Sequence, residues 1–382
     1  MLELLIMELK HLNKISNKNT EKIPNSHIPS FKNAIKRITN FFISTLGTLN
    51  ILTIISSLII FIFKKGNSPI NQFDLKFLNN TPENLKYYHN IQNNFCNNYR
   101  NIFKKELENE LILSEVSLNN IKFEMFIYKN FDYISSKIRL DQSFEEKGTL
   151  NMIKALKFYS EKYNYKNDDL MIIDIGANIG WYTTFLGKLK YNILSFEPLP
   201  ENYHVLTKNF CRNNKNFFIK GESITLINKG LYPINTTCNY YKDIKKVKKD
   251  IVLCDKKKEK NLDRDYVQIG LINTIKLANF IPSILKKKIT LLILDLDIEG
   301  EMAIESGKEL IYEYHIPYIF IEFNKSIFHI HETDPQNFLR FFSKNGYKIS
   351  LNGFLTNMFI TIEDLIKIDF ISINLYLIYY GK

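Results

Sequence analysis

The feature that most constrains this chain is the alternation of short apolar segments with helical segments between residues 149 and 323. LMIID (170–174), NILSFE (192–197) and PYIFIEF (317–323) are apolar runs with the length of buried strands. The segments between such runs, for example ENYHVLTKNFCRN (201–213), have helical spacing. Strands that alternate with helices predict an α/β fold, with a parallel sheet covered by helices on both faces.

An uncharged apolar run, FFISTLGTLNILTIISSLIIFIF, occupies residues 41–63. As a helix it would extend roughly 35 Å, which is enough to cross a bilayer core. We therefore predict a single transmembrane helix, preceded by a polar tail (1–40) and followed by a stalk or linker (64–111) and a globular domain (112–382). Lysines flank both ends of the run, so charge does not fix its orientation. The layout resembles that of single-pass Golgi and ER enzymes with a lumenal catalytic domain.

The formal net charge is +11, and much of it lies in short lysine runs such as KKVKK (245–249). Aromatic residues do not interleave with arginines there, so we interpret the runs as solvated loops and expect no nucleic-acid partner. The chain has four cysteines. Two alternatives stay open for them: Cys238 and Cys254 form a disulfide in a lumenal domain, or the thiols are unpaired.

The segment DIGANIG (174–180) joins a predicted strand to a predicted helix. Gly176 and Gly180 let the backbone adopt unusual angles and approach a ligand closely. Ligands in such sheets bind beyond the carboxyl ends of the strands. The segment has neither G-x-G-x-x-G nor G-K-[ST], which disfavours a dinucleotide or a nucleoside triphosphate. Asp174, at the end of the strand, would instead favour a cationic ligand.

Glu197 ends the next predicted strand. A carboxylate at this position accepts hydrogen bonds from both hydroxyls of a ribose. Taken alone, Glu197 is equally well explained as a solvated acid at a strand end. Together with Asp174, Gly176 and Gly180, it indicates a cofactor with a ribose, a positive centre and no phosphate, which is S-adenosylmethionine (SAM).

Five segments occur in the order and at the spacing typical of the FkbM-type family of SAM-dependent methyltransferases: DIGANIGWYT, FEPLPENYHVL, INKGLY, LDLDIEGE and YIFIEF. The chain resembles this family from about residue 112 to its end. The resemblance implies a class I methyltransferase (Rossmann-like) fold, with a seven-stranded sheet whose last strand is antiparallel, and SAM as the cofactor. GYKISL (346–351) and INLYLIYY (373–380) agree with it, since they predict an antiparallel hairpin at the sheet edge.

The resemblance also implies a set of cofactor-binding residues at the ends of successive strands. These are Asp174, Gly176, Ala177, Asn178 and Gly180 in the first loop, Glu197 and Pro198 at the next turn, and Asn228 near the adenine.

Known members of the family are largely O-methyltransferases that act on hydroxyls, including those of sugars. We therefore expect a membrane-anchored enzyme whose acceptor is a glycan, a lipid-linked sugar or a small metabolite. An alcohol acceptor needs a base, for which Asp297 and Glu299 are the first candidates and Glu322 the next. Each could instead only hydrogen-bond to loop backbone or to the cofactor. His329 and His331 could bind a metal if extended, but the segment has the pattern of a loop, and no metal is predicted.

The chain departs from the family pattern at Asp295, where the family usually has lysine two positions before the acid at 297. The spacing after Gly300 is also one residue short. These departures motivate an alternative function, in which the fold is kept as a catalytically inactive, membrane-tethered binding module.

Overall fold

The structure is a computed structural model, and it describes residues 85–102, 110–129, 132–213, 224–243, 250–262, 264–280, 284, 287–295 and 300–381. The chain divides into two compact units, Met1–Thr81 and Pro82–Lys382, and all described residues belong to the second. The predicted tail and the predicted membrane span (41–63) lie outside the described residues. Within the described ranges, no helix is both long and apolar enough to cross a membrane.

The described helices and strands alternate along most of the second unit. The helices are α1 (Leu85–Ile102), α2 (Tyr133–Asp141), α3 (Glu146–Tyr163), α4 (Trp181–Lys188), α5 (Pro200–Asn213), α6 (Gly300–Glu305), α7 (Glu309–Tyr312), α8 (Lys325–Ile330), α9 (Pro335–Lys344) and α10 (Ile362–Lys367). The strands are β1 (Leu111–Leu118), β2 (Ile121–Tyr128), β3 (Leu170–Ile175), β4 (Asn192–Phe196), β5 (Ile224–Ile227), β6 (Gly230–Leu231), β7 (Thr237–Asp243), β8 (Ile251–Leu253), β9 (Tyr266–Ile275), β10 (Lys288–Asp295), β11 (Tyr318–Asn324), β12 (Tyr347–Ser350) and β13 (Ser372–Tyr379).

The central sheet has seven strands in the order β12-β13-β11-β10-β3-β4-β5. Neighbours from β11 to β5 pair in parallel, whereas β13 pairs antiparallel with both β11 and β12. The expected seven-stranded sheet with an antiparallel last strand is therefore confirmed. Its topology brings the carboxyl ends of β3, β4, β10 and β11 to one edge, where ligands bind in sheets of this kind.

Alternate residues of β3 pack into two different apolar clusters. Leu170 and Ile172 contact the cluster that includes residues of α3, α4 and α5. Ile173 and Ile175 contact the cluster that includes residues of α7, α9 and α10. Because successive side chains of a strand point to opposite faces, helices cover both faces of the sheet, and all six residues of β3 are buried.

Residues 85–102, which the sequence analysis placed in the stalk, form a helix that packs against the domain. Gln92 of α1 donates to the carbonyl of Ile224 and accepts from the N–H of Leu226, both at 3.1 Å. The side-chain amide of Gln92 thus makes one donated and one accepted hydrogen bond with β5, as the backbone of a neighbouring strand would. A disulfide between Cys96 and Cys211 joins α1 to α5. Helix α1 therefore covers the edge of the sheet that β5 forms.

Two smaller sheets flank the central one. The first is a hairpin of β1 and β2, which pair over Leu111–Tyr128 around a turn at Asn119 and Asn120. Both turn residues have positive φ, which asparagine tolerates.

The second small sheet, which the sequence analysis did not predict, has the order β6-β9-β7-β8. The Cys238–Cys254 disulfide joins β7 to the residue after β8. Of the two alternatives for the cysteines, the structure shows pairing, and all four are in disulfides.

Candidate functional site

The loop between β3 and α4 folds back onto the end of β4. The N–H groups of Gly176 and Ala177 both donate to the carbonyl of Phe196, at 3.0 Å. Gly176 and Asn178 have φ values of 81° and 50°. Glycine adopts such angles without steric cost, and asparagine is among the residues that tolerate them best. The residue types of DIGANIG therefore suit the local backbone.

Both the backbone angle at residue 180 and the packing around it favour glycine. Its φ is 91°, and a Cβ built on it would lie 2.4 Å from Cδ1 of Leu206. The absence of a side chain lets α5 pack directly against the start of α4. Gly180 is therefore a packing residue of the loop.

Glu197 is 2% exposed and holds the loop through its carboxylate. One oxygen accepts from the N–H of Asn178 at 2.7 Å, and the other accepts from the N–H of Leu199 at 2.9 Å. Asn228 donates to the carbonyls of Glu197 and Pro198, at 2.8 and 3.2 Å. The structure thus brings Asn178, Glu197, Pro198 and Asn228 together at one turn, as a cofactor site at this edge requires.

Asp174 lies beneath the loop and is 1% exposed. Its Oδ2 accepts a hydrogen bond of 2.6 Å from the Thr183 hydroxyl, which also contacts the Ser195 hydroxyl at 2.6 Å. Burial raises the pKa of Asp174 to about 6, although hydrogen bonds from Thr183 lower it in part. Asp174 lines the pocket, but its carboxylate is tied to the helix that follows the loop.

Asp174 should make the stability of the protein depend on pH. Its folded pKa lies above the ordinary value of 3.8, so the native state binds the proton more tightly than the unfolded chain. The free energy of unfolding therefore increases as the pH falls through 6, and it becomes constant below 3.8. Between about pH 7 and pH 4.5, the wild type should gain about 2 kcal/mol in free energy of unfolding relative to Asp174→Asn. Urea titrations at the two pH values measure this, and an unchanged difference would contradict it.

A pocket opens beside the loop at the carboxyl edge of the sheet, lined by Gly176, Ala177 and Asn178. Its described lining includes the carboxylates of Glu145, Asp174 and Glu322 and the rings of Phe144, Trp181, Tyr182 and Phe320. None of these lining residues is a lysine or an arginine. Such a lining suits a ligand with positive charge and disfavours one with several phosphates.

Of the three candidate bases, the structure places Glu322 in this pocket. Its carboxylate accepts from the Ser372 hydroxyl at 3.1 Å. In the sheet register Glu322 pairs with Asp295 on β10 and with Asn374 on β13. Asp297 and Glu299 lie outside the described residues, so their roles stay predictions.

Glu145 and Tyr182 also line the pocket, and sequence reasoning missed both. The Tyr182 hydroxyl donates to the Glu145 carboxylate at 2.5 Å, and Asn374 donates to the same oxygen at 3.3 Å. The partners of Glu145 lie 37 and 229 positions away in the chain. No local pattern connects residues at such separations.

The His329–Glu332 segment is only in part the loop that the sequence predicted, because α8 extends to Ile330 and a turn follows at residues 331 and 332. His331 is 4% exposed, and burial lowers its pKa to about 4. Within the described ranges, no group of three His, Cys, Asp or Glu side chains could hold a metal ion.

The sheet topology and the glycine loop define an α/β protein with a ligand site at the carboxyl edge of β3 and β4. Residues 174–349 match the model of the "Methyltransferase FkbM domain" family. The match begins at Asp174 and includes the whole sheet edge from β3 to β11. The resemblance noted in the sequence is thus confirmed for this region of the chain.

Solved structures similar to this chain include methyltransferases of several kinds. Methyltransferase FkbM from Methylobacillus flagellatus KT is 15% identical, with a TM-score of 0.33, covering 55% of this chain and 43% of that chain. The bifunctional kinase-methyltransferase WbdD is 10% identical, with a TM-score of 0.32 and coverages of 60% and 38%. Magnesium protoporphyrin IX methyltransferase from Synechocystis PCC 6803 with bound SAM is 10% identical, with a TM-score of 0.32 and coverages of 79% and 100%.

This chain therefore spans less than half the length of the first two of these proteins. A comparison with curated proteins found no match.

Proposed function

We propose that this protein is a SAM-dependent methyltransferase that methylates a hydroxyl of a glycan, a lipid-linked sugar or a small metabolite. The observation that supports it best is the pocket beside the glycine loop. Carboxylates and aromatic rings line this pocket, and no lysine or arginine is among its described lining residues. SAM carries a sulfonium and an ammonium and no phosphate, so this lining fits it better than it fits a nucleotide polyphosphate.

Several residues fit the parts of such a cofactor. Glu197 would accept hydrogen bonds from the ribose hydroxyls, while the N–H groups of Asn178 and Leu199 fix its orientation. The glycine loop would let the backbone approach the cofactor closely. When bound, SAM supplies an activated methyl group, so the protein mainly has to align donor and acceptor.

Glu322 is the described carboxylate that we propose as the base for the acceptor hydroxyl. It lines the pocket, and Ser372 fixes one of its oxygens. The faces of Phe144, Trp181 and Phe320 would pack against the C–H groups of a sugar and exclude water from the reacting atoms. A glycan or small-molecule acceptor suits this pocket better than a nucleic acid, whose phosphates the carboxylates would repel.

The Glu322→Gln variant should slow methyl transfer without weakening the binding of the cofactor product. The full chain is incubated with methyl-labelled SAM and a panel of methyl glycosides and glycolipids. We expect the variant to transfer methyl groups at least about a hundredfold more slowly, because a base contributes factors of this size. Its affinity for S-adenosylhomocysteine (SAH) should stay within about twofold, because the amide keeps the shape of the carboxylate.

Lys325→Gln, near the same strand end, serves as a control for the loss of a charged group. Equal transfer by Glu322→Gln and the wild type would exclude Glu322 as the base. A folded wild type that binds no SAH would overturn the enzyme proposal and favour the inactive binding module.

We also propose that the protein is anchored in the membrane by residues 41–63, with the domain in an oxidising lumen. The two disulfides support this location, because such bonds persist in oxidising compartments. Protease added to sealed microsomes should then leave the domain intact. Digestion of the domain without detergent would contradict the lumenal location, and release of the chain by alkaline carbonate would contradict the anchor.

A further inference from the structure

Glu145 has an unusual backbone for its position. It directly precedes α3, with φ 40° and ψ 49°, which is the left-handed region, and its side chain makes no capping hydrogen bond. Residues at this position usually cap the helix, and Ser, Thr, Asp or Asn are preferred. A non-glycine residue held in the left-handed region is strained, and such residues cluster at functional sites. Glu145 lines the pocket and does not cap the helix.

The contacts of Glu145 place its carboxylate at one side of the pocket. Tyr182, one of its donors, lies in the first turn of α4, directly after the glycine loop. Asn374, the other donor, lies on β13. In the sheet order β13 is four strands from β4, which ends next to Glu197. Four strand spacings are roughly 19 Å, so the strand that carries Asn374 lies well away from the strand that ends next to Glu197.

The other described carboxylates of the site have different positions. Asp174 is fully enclosed beneath the loop and bonded to Thr183. Glu322 is held by Ser372 of the last strand. Glu145 is half-buried, and its carboxylate is bonded to Tyr182 in the first turn of the helix that follows the glycine loop. It is therefore the best placed of them to meet a cationic group of a ligand that lies along this loop.

We propose that Glu145 binds the α-ammonium of the amino-acid end of the cofactor, and that Tyr182 and Asn374 are positioning residues for its carboxylate. The inference rests on the proposed function, because it concerns the same cofactor. An ammonium carries a positive charge and three donors, so the negatively charged carboxylate of Glu145 attracts it and can accept a charge-assisted hydrogen bond from it.

Two ligands that differ only at this end test the proposal. SAH has the amino-acid end, whereas 5′-methylthioadenosine has the same adenosine and sulfur without it. Both are titrated calorimetrically into the full chain and into Glu145→Gln. We expect the variant to bind SAH about ten to a hundred times more weakly, since a charge-assisted hydrogen bond is lost. Its affinity for 5′-methylthioadenosine should change by less than about twofold.

Three further variants test alternative explanations of a loss of SAH affinity. Glu146→Gln removes the same charge from the neighbouring exposed residue and should leave both affinities unchanged. Glu145→Gly suits the left-handed backbone, so it should fold at least as stably as the wild type and yet lose the same preference for SAH. Tyr182→Phe should lose part of that preference, because the carboxylate is held less firmly.

The possible results separate this proposal from the function on which it rests. A selective loss of SAH affinity supports the role of Glu145. An unchanged SAH affinity, or an equally weakened binding of both ligands, overturns that role. Binding of SAH by the wild type would still support the proposed methyltransferase function. Failure of the folded wild type to bind either ligand overturns both proposals.

Discussion

Glu197→Ala is expected to weaken the binding of SAH by at least about a hundredfold. The substitution removes the carboxylate that we expect to accept hydrogen bonds from the ribose, and hydrogen bonds to a charged acceptor contribute about 1.5–3 kcal/mol each. It also leaves the N–H groups of Asn178 and Leu199 without the acceptor that now holds them at 2.7 and 2.9 Å. The glycine loop would then lose its attachment to the end of β4.

Calorimetric titration of SAH into the full chain measures this effect. Glu201→Ala is the matched control, because Glu201 is an exposed carboxylate four residues further along the chain. It should bind SAH like the wild type. Glu197→Gln should be intermediate, since its amide keeps one acceptor and presents N–H groups where the other acceptor was. Wild-type affinity in a folded Glu197→Ala variant would show that the cofactor does not use this turn.

The Cys96–Cys211 disulfide is expected to make a large contribution to stability. It closes a loop with a sequence separation of 115 residues. In the chain-entropy model a loop of this size contributes about 5 kcal/mol, because the cross-link restricts the unfolded chain. The double variant Cys96→Ser, Cys211→Ser should therefore unfold with a free energy lower by about 4–5 kcal/mol. Its melting temperature should fall by roughly 10 °C.

The second disulfide provides the control for this prediction. Cys238 and Cys254 are separated by 16 residues, for which the same model gives about 3 kcal/mol. Denaturant unfolding of the two double variants compares the loops directly. An equal or smaller loss for the Cys96, Cys211 pair would show that residual structure or packing, and not loop length, determines its contribution.

The central part of the fold was predictable because its signals are local. Buried parallel strands appear as short apolar runs, and LMIID and NILSFE correspond to β3 and β4. Asn178 and the glycines marked the loop because few residue types tolerate positive φ. The prediction of a cofactor site at Glu197 followed from the same two strands.

Other features depend on contacts that no short segment encodes. The helix at residues 85–102 was placed in a stalk because its polar sequence gives no sign of the buried contact between Gln92 and β5. The sheet of β6 to β9 was missed because lysine-rich segments separate its strands in the sequence. Glu145 owes its position to Tyr182 and Asn374, which approach it only in the folded protein.

The docking of α1 has a practical consequence for shortened forms of this protein. A chain cut at the domain boundary that the sequence suggests, residue 112, would lack Gln92 and Cys96. The outer edge of β5 would then offer unpaired backbone groups to other molecules, which is a route to edge-to-edge aggregation. Cys211 would be left as a single thiol able to cross-link two copies. Recombinant forms should therefore begin before Leu85, so that the helix seals the sheet and the cysteine keeps its native partner.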